Sequence, residues 1–184
     1  IAKGITRRED QIIINVVSGV TFSADFDTPE EGYAYDAGEV NFGMAVVHKA
    51  REHFMKLECD GELHAMVSPQ AVQSLLAETK VGSIDYNGVK PLLEGALTTK
   101  WMGFIWHVMP QQREEGGLPI LDSDDHYSYF WDKAAVGLAV GIDLKTEINY
   151  VPQKTAWLCN GLYKAGAVAR EPQGIFRGQY DPAA

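Results

Sequence analysis

The chain has 184 residues, of which 46% are hydrophobic and 22% charged, and its 25 Asp and Glu outnumber 16 Lys and Arg to give a formal charge of −9. This hydrophobic content can bury one sizeable core, or two small ones that share a sheet, so the composition excludes a disordered chain. The acidic balance argues against a fixed DNA-binding face, because such faces concentrate Lys and Arg against phosphates.

The first segment, ITRREDQIIINVVSG, predicts a helix that ends before Gly19, since glycine readily adopts the left-handed conformation of a helix end. Its apolar residues fall near one face of that helix: Ile5, Ile12, Ile13 and Val16. Residues 20–38 are rich in Asp, Gly, Pro and Glu, which predicts a long loop or a loose hairpin.

Residues 41–57 predict a second helix with Asn41 as its cap, because apolar residues recur at 42, 46, 47, 50, 54 and 57. A short strand, ELHAMVSP, leads into a third helix, SPQAVQSLLAET. Ser68 is the predicted N-cap of this helix and Pro69 its first residue, where the missing N–H of proline costs no hydrogen bond. VKPLLEGAL then predicts a short helical piece, and TTKWMGFIWHVMP a strand that ends at Pro110.

The last third, from Tyr127 onward, is rich in Val, Ile, Tyr, Trp and Ala with turn signals at short intervals. This pattern predicts an antiparallel meander. Helices followed by such strands indicate an α+β fold and not a doubly wound parallel sheet.

The stretch KAAVGLAVGIDL contains two glycines four residues apart, Gly137 and Gly141. A phosphate-binding loop would need Lys and Ser or Thr after the glycines, and a membrane span would need about 20 apolar residues, so neither is predicted. We interpret the stretch as a strand whose glycines permit a bulge or a close backbone approach. The charged residues Asp143, Lys145 and Glu147 are expected to mark where this strand turns back toward solvent or a neighbouring subunit.

One loop, LDSDDHY, gathers candidate metal ligands: Asp122, Asp124, Asp125 and His126. It lacks the central Gly and late Glu of a calcium loop, which favours a solvated loop and leaves a metal-dependent enzyme as an alternative. His48 with Glu52 has helical spacing but supplies only two ligands.

Nucleophiles are equally sparse. Cys59 and Cys159 form no CxxC pair and predict buried thiols in a reducing compartment, and the capping role of Ser68 accounts for that residue. The sequence therefore predicts no catalytic, cofactor or metal site.

Three stretches of the chain carry a resemblance: FWDKAAVGLAVGIDLKTEINYVPQKTAWLCNGLYKAGAVAREPQGI, HAMVSPQAVQSLLAETKVGSIDYNGVKPLLEGALTTKWMGFIWHVMP and KGITRREDQIIINVVSG. In that order, they resemble the closing segment, the central domain and the end of the spine helix of tailed-bacteriophage major capsid proteins. Eight of the matching residues are expected to serve structure or subunit contacts: Gly103, Pro110, Gly137, Gly141, Pro152, Lys154, Gly166 and Arg170.

The resemblance implies the Hong Kong 97 type coat fold, which has a peripheral and an axial domain. Residues 1–40 would form the end of the spine helix and a loop of the peripheral domain, and residues 41–130 the axial domain. Residues 131–184 would supply antiparallel strands that return to the peripheral domain. The N-terminal arm and extended loop of the family are expected to be absent from this chain.

The implied function is a subunit that assembles as pentamers and hexamers into an icosahedral head shell around double-stranded DNA. Its place would be the virion, after assembly in the host cytoplasm, without a membrane or a cofactor. The portal and decoration or scaffolding proteins are further candidate partners. An encapsulin-type compartment that shares the fold and encloses a cargo enzyme stays open as an alternative.

A shell subunit needs extensive contact surfaces, and buried interface centres favour aromatic residues. We expect seven aromatic residues to be exposed for this purpose, with burial in the core as the alternative for each: Tyr33, Tyr35, Trp101, Trp106, Tyr127, Tyr129 and Trp131. The acidic balance leads to a second hypothesis, that a negative inner face would repel packaged DNA and let it slide.

Overall fold

The computed structural model describes residues 2–25, 29–38, 40–78, 100–111, 117–119 and 126–181. Helices and strands are mixed along the chain, which confirms the α+β class. In chain order the elements are α1 (Ala2–Ser18), β1 (Phe22–Ser23), β2 (Gly32–Asp36), α2 (Met44–Lys56), β3 (Leu63–Val67), α3 (Pro69–Ala77), β4 (Phe104–Val108), β5 (His126–Asp132), β6 (Val136–Val151), β7 (Ala156–Ala169) and β8 (Ile175–Tyr180).

A six-stranded mixed sheet with the strand order β1-β2-β8-β5-β3-β4 organises the fold. Neighbouring strands are parallel in the pairs β1-β2, β2-β8 and β3-β4 and antiparallel in β3-β5 and β5-β8. The loose hairpin predicted within residues 20–38 is wrong, because β1 and β2 run parallel with Phe22 opposite Gly32. The predicted meander is also wrong, because β8 pairs with β2 and β5 and not with β7.

The start of α3 follows the prediction. The Ser68 hydroxyl accepts a hydrogen bond from the backbone N–H of Ala71 at 2.9 Å, and Pro69 occupies the first turn. The hydroxyl also lies 2.9 Å from the hydroxyl of Tyr180, which links the helix start to β8.

The start of α2 differs from the prediction. Gly43, and not Asn41, is the N-cap residue, and its position provides no side-chain hydrogen bond. The backbone N–H of Met44 instead donates to Oε1 of Glu78, just after α3, at 3.1 Å. A carboxylate from a distant segment thus satisfies an N–H group that a local cap would normally bind.

Two cores lie on opposite faces of the sheet, since alternate residues of each strand point to opposite sides. On one face, α2 and α3 bury Phe42, Val46, Ala50, Phe54 and Leu75 against the sheet, which confirms the apolar spacing of α2. On the other face, α1 packs Ile14 and Val17 on the sheet residues Met66, Tyr129, Trp131 and Ile175. The fully buried residues of α1 are therefore Gln11, Ile14 and Val17. The residues of the predicted face are only partly buried: Ile5, Ile12, Ile13 and Val16.

Burial in the core, which was weighed for each of the seven aromatic residues, is confirmed for the three in the middle of the sheet. Trp106, Tyr129 and Trp131 are buried in the two cores. The other four of the seven are partly buried. This sheet is covered on both faces, so its aromatic side chains fill the protein interior.

Strands β6 and β7 form a separate antiparallel ribbon, closed at its tip by a 3-10 turn over Pro152–Lys154. β6 continues to Val151, so the strand does not turn back at residues 143–147, although Asp143, Lys145 and Glu147 are exposed. The pairing register shifts between Val140 and Ile142, so Gly141 lies in an irregularity of the kind that glycine favours. Cys159 is exposed on β7, against the expectation of a buried thiol.

β4 forms as predicted and ends two residues before Pro110, whereas VKPLLEGAL lies outside the described residues. Among the helices of the described ranges, none has both the length and the apolar character that a membrane crossing requires.

Candidate assembly surface

The β6-β7 ribbon carries an unusual density of exposed apolar side chains. They are Leu138, Val140, Ile142, Leu144, Ile148, Tyr150, Trp157, Leu158, Leu162 and Val168. A two-stranded ribbon is only marginally stable by itself, and large exposed apolar patches in proteins mark interaction sites. The ribbon is therefore the strongest candidate for a surface that another protein covers.

The outer half of the ribbon has one strongly apolar face. Tyr150 lies opposite Trp157 and Ile148 opposite Cys159, so these four side chains share one side of the ribbon, here called the aromatic face. The Tyr150 and Trp157 rings are in contact, with centroids 5.2 Å apart. Trp157 is nevertheless 71% exposed, because no other element of the described chain covers it.

The opposite side of the outer ribbon is mixed in character. Lys145, Glu147 and Asn149 alternate with the aromatic-face residues along β6. Nζ of Lys145 lies 3.0 Å from Oε1 of Glu147 in an exposed ion pair. Only the aromatic face thus presents a continuous apolar surface at the ribbon tip.

The inner half of the ribbon is attached to α1 and to the sheet. The Tyr163 hydroxyl on β7 donates a hydrogen bond to the Glu9 carboxylate on α1, which raises the pKa of Tyr163 to about 12. At the ribbon base, the backbone N–H of Arg170 donates to the Ala135 carbonyl at 2.8 Å. These contacts fix the direction in which the ribbon leaves the body of the protein.

The eight residues singled out from the sequence separate into two groups. Gly137, Gly141, Gly166 and Arg170 lie along the ribbon or at its base, and Pro152 and Lys154 lie at its tip. At the base, the Arg170 side chain covers Gly137, where an added Cβ would lie 3.3 Å from Cδ of Arg170. Gly103 and Pro110 instead flank β4 in the main sheet.

Gly103 forms a tight turn with Met102 before β4. Both residues have positive φ angles, +53° at Met102 and +86° at Gly103, and Trp101 and Phe104 exchange backbone hydrogen bonds across the turn. Nη1 of Arg51 on α2 donates to the Met102 carbonyl at 2.7 Å. This hydrogen bond connects α2 to the turn that leads into β4, the edge strand of the sheet.

One cluster of side chains has no signal in the sequence. Nδ1 of His64 on β3 lies 3.1 Å from Nε2 of His107 on β4, and both rings stack near Trp131 on β5. The three residues line a cleft together with Asp10 of α1. The two histidines are far apart in sequence, so only the pairing of β3 with β4 could have revealed them.

The alternative metal site falls mostly outside the described residues. Asp122, Asp124 and Asp125 lie there, and His126 begins β5 with its ring edge-on to Tyr180 at a centroid distance of 5.8 Å. In the described ranges, no three His, Cys, Asp or Glu side chains come together as a metal-binding group. His48 is exposed on α2, whereas His53 is buried with Nε2 2.7 Å from the Gln173 carbonyl.

Comparison with solved structures identifies the architecture. The chain aligns over its full length with a chain from Mycobacterium phage Che8 (TM-score 0.66, 14% identity, 61% of that chain covered). It aligns over 98% of its length with the capsid of an empty GTA particle (TM-score 0.70, 12% identity, 64% of that chain). It aligns over 95% with the mature capsid of bacteriophage PhiM1 (TM-score 0.67, 13% identity, 60% of that chain). The Hong Kong 97 type coat fold implied by the resemblance is thus confirmed.

This chain spans about three fifths of the length of these three chains. No curated protein sequence matches it. A family model described as phage capsid protein, however, matches residues 1–181. Because this match includes α1, the six-stranded sheet and the apolar ribbon, the chain belongs to the phage capsid protein family.

Proposed function

We propose that the chain is the shell-forming part of a major capsid subunit, which assembles with copies of itself into an icosahedral phage head. The observation that carries the proposal is the exposed aromatic face of the ribbon, in a chain that belongs to the capsid family. Contact with a neighbouring subunit would bury Tyr150 and Trp157, residue types that are enriched at interface centres.

The arrangement in the shell follows from repetition of such contacts. A ribbon that contacts a different surface on the next copy makes a head-to-tail interface, which closes into rings when the rotation between copies allows it. Pentamers and hexamers are rings of this kind. The division expected from the resemblance, with residues 1–40 and 131–184 in the peripheral domain and residues 41–130 in the axial domain, belongs to this proposal, and the six-stranded sheet joins strands from all three ranges.

The contents and partners of the shell belong to the same proposal. Double-stranded DNA would be enclosed without sequence-specific contacts, in keeping with the formal charge of −9. The portal and scaffolding or decoration proteins would meet the shell during assembly in the host cytoplasm, and the mature location would be the virion.

Electron microscopy of the full-length protein, expressed in a bacterial host, tests the proposal. Closed shells that hold nucleic acid are the expected result. Smaller shells loaded with a cargo enzyme would favour the encapsulin-type alternative, and a monomer that never assembles would overturn both. Metal-dependent activity that is lost in Asp124→Ala and His126→Ala would instead support the enzyme.

A matched pair of ribbon variants tests the aromatic face itself. Ile148→Lys places a charge on the aromatic face, and Asn149→Lys places the same charge one residue away on the opposite side. We expect shells from Asn149→Lys and unassembled but folded subunits from Ile148→Lys, with far-UV circular dichroism as the check of folding. Equal assembly of the two variants would contradict a specific role for this face.

A further inference from the structure

An apolar cleft lies at the base of the β6-β7 ribbon, between α1, the ribbon and the six-stranded sheet. Its volume is about 230 Å³, which exceeds the apolar cavity of about 150 Å³ that accommodates benzene. Most of the residues that line it are apolar: Ile13, Met66, Met109, Trp131, Val136 and Leu138. The cleft therefore has the size and the character to accept an aromatic side chain.

The floor of the cleft is itself aromatic. The His64 ring stacks on the Trp131 indole with centroids 5.4 Å apart, and the His107 ring lies 6.2 Å from the same indole. Nδ1 of His64 and Nε2 of His107 are 3.1 Å apart, so the two imidazoles also hold each other in position. Rings that are already fixed offer stacking contacts to another ring at a small cost in conformational entropy.

One carboxylate, that of Asp10 on α1, also lines the cleft. It is partly buried, and this burial raises its pKa. Asp10 has no ion-pair partner among the described residues. Lys133, which lines the cleft as well, is paired with Glu62 at 2.6 Å. An occupant that brings a positive charge would therefore be stabilised by Asp10.

The tip of the ribbon has the complementary composition. Trp157 is 71% exposed beside Tyr150, and Lys154 is exposed in the turn that closes the ribbon. Lys154 has no carboxylate partner within the described ranges. The tip thus combines an aromatic side chain with a cation, and the cleft combines an apolar surface with a carboxylate.

The tip cannot fill the cleft of its own chain. The two strands of the ribbon are paired from Val136, opposite Ala169, to Val151, opposite Ala156. β7 has 14 residues, which at about 3.3 Å per residue places the tip roughly 40 Å from the ribbon base. A ribbon tip that occupies the cleft must therefore come from a second copy of the chain.

We propose that the ribbon tip of one subunit docks in the α1 cleft of a neighbouring subunit. Trp157 enters the cleft and packs against Trp131 and His64. Lys154 forms an ion pair with Asp10. This inference rests on the proposed function and names the surface that covers the ribbon tip. Since tip and cleft are different surfaces of one chain, the contact is head-to-tail and leaves a free tip and a free cleft for further copies.

A charge exchange in the full-length protein tests the docking. Asp10→Lys and Lys154→Asp each bring like charges together, so we expect the fraction of subunits in shells to fall by at least about tenfold in each variant. The double variant restores opposite charges in every contact and should recover assembly. Lys164→Asp makes the same charge change opposite Ile142, away from the tip, and should assemble like the unmodified protein. Sedimentation and electron microscopy measure the assembled fraction.

Disulfide trapping tests the contact directly. In a background with Cys59→Ser and Cys159→Ser, the combination of Asp10→Cys with Lys154→Cys should link neighbouring subunits when shells are oxidised. Non-reducing gels should then show a ladder of linked chains. Either cysteine substitution alone should give no ladder.

Three results would overturn the docking. One is a set of charge variants that all assemble like Lys164→Asp, and another is the absence of a ladder from oxidised shells. Either would leave the proposed function intact, whereas an unmodified protein that forms no shells would overturn both. If Asp10→Lys does not fold, as judged by far-UV circular dichroism, Lys154→Asp should assemble better together with Asp10→Asn than alone. An equal defect with and without Asp10→Asn is the third contradicting result.

Discussion

The guanidinium of Arg51 occupies the space in which a side chain at Gly103 would lie. An added Cβ at Gly103 would collide with Nη1 of Arg51, the atom that donates to the Met102 carbonyl. Since Gly103 also has a φ of +86°, another residue here would be strained in its backbone and would displace the end of the Arg51 side chain.

We expect Gly103→Ala to lower the free energy of unfolding by about 1 to 3 kcal/mol, because the φ strain is combined with displacement of Arg51. Urea unfolding followed by circular dichroism measures this loss. Gly38→Ala is the matched control, since Gly38 has a φ of +74° but nothing within 4 Å of the added Cβ. Equal losses of unfolding free energy in the two variants would show that displacement of Arg51 adds nothing to the cost of Gly103→Ala.

Ser68→Ala removes the N-cap of α3. The backbone N–H of Ala71 and the hydroxyl of Tyr180 would both lose a partner in a buried site, so we expect a destabilisation of about 1 to 2 kcal/mol. Tyr180→Phe removes the second of these bonds and the 3.5 Å contact from Nε2 of Gln111, and should cost less in the same thermal or urea measurement. A loss for Tyr180→Phe as large as that for Ser68→Ala would show that the cap itself contributes little.

Gly178 allows α2 to approach the centre of the sheet. A Cβ at this buried position on β8 would lie 2.6 Å from Cγ1 of Val46 and 2.8 Å from Oγ of Ser128. Gly178→Ala should therefore cost about 1 to 3 kcal/mol through overpacking.

Two further variants isolate this effect. The cost of Gly178→Ala should shrink when Val46→Ala removes the facing methyl group, a coupling that a double-mutant cycle detects. Gly166→Ala, on the exposed ribbon with nothing within 4 Å, should change stability by less than about 0.5 kcal/mol. If the free-energy costs of Gly178→Ala and Val46→Ala simply add in the double variant, the close approach of α2 to Gly178 is contradicted.

The buried His53 makes stability depend on pH. Burial lowers its pKa below the ordinary 6.5, with an opposing effect from the hydrogen bond to Gln173. The unfolded chain therefore takes up the proton first as the pH falls, so the contribution of neutral His53 is complete above 6.5 and is lost below it. His64 and His107 act in the same direction.

Chemical denaturation between pH 8 and pH 5 checks this dependence. We expect the free energy of unfolding to decline below about 6.5, the ordinary histidine pKa, and to decline less steeply in His53→Gln, whose amide can still donate to the Gln173 carbonyl. His48→Gln, at an exposed position, is the control. An unchanged slope in His53→Gln would exclude this residue as a source of the pH dependence.

Local signals explain which elements the sequence could predict. Ser68 followed by Pro69 defines the start of α3 by itself, and the apolar spacing from Phe42 to Phe54 defines the buried face of α2. Both depend on neighbours along the chain. The start of α2 is capped by Glu78 from another segment, which the local pattern around Asn41 could not indicate, so the prediction of Asn41 as the cap is wrong.

Local signals in the sequence could not show which strands form the ribbon and which form the sheet. Trp131 in the sheet and Trp157 in the ribbon both lie in aromatic, β-prone segments, yet one is buried and the other exposed. The difference arises from which strands pair, which is a non-local property. Resemblance identified the family and singled out eight residues, but the structure was needed to place six of them along the ribbon, at its base or at its tip, and to show the contact between His64 and His107.

β8 is paired between β2 and β5, although every other strand of the sheet precedes it in the chain. Until β8 has been synthesised, β1 and β2 have no connection through backbone hydrogen bonds to β5, β3 and β4. Two incomplete half-sheets would therefore wait on the ribosome, each with an unpaired edge, and residues 175–180 would join them in a single late step. Formation of the six-stranded sheet therefore depends on residues 175–180, which supply the backbone pairing between its two halves.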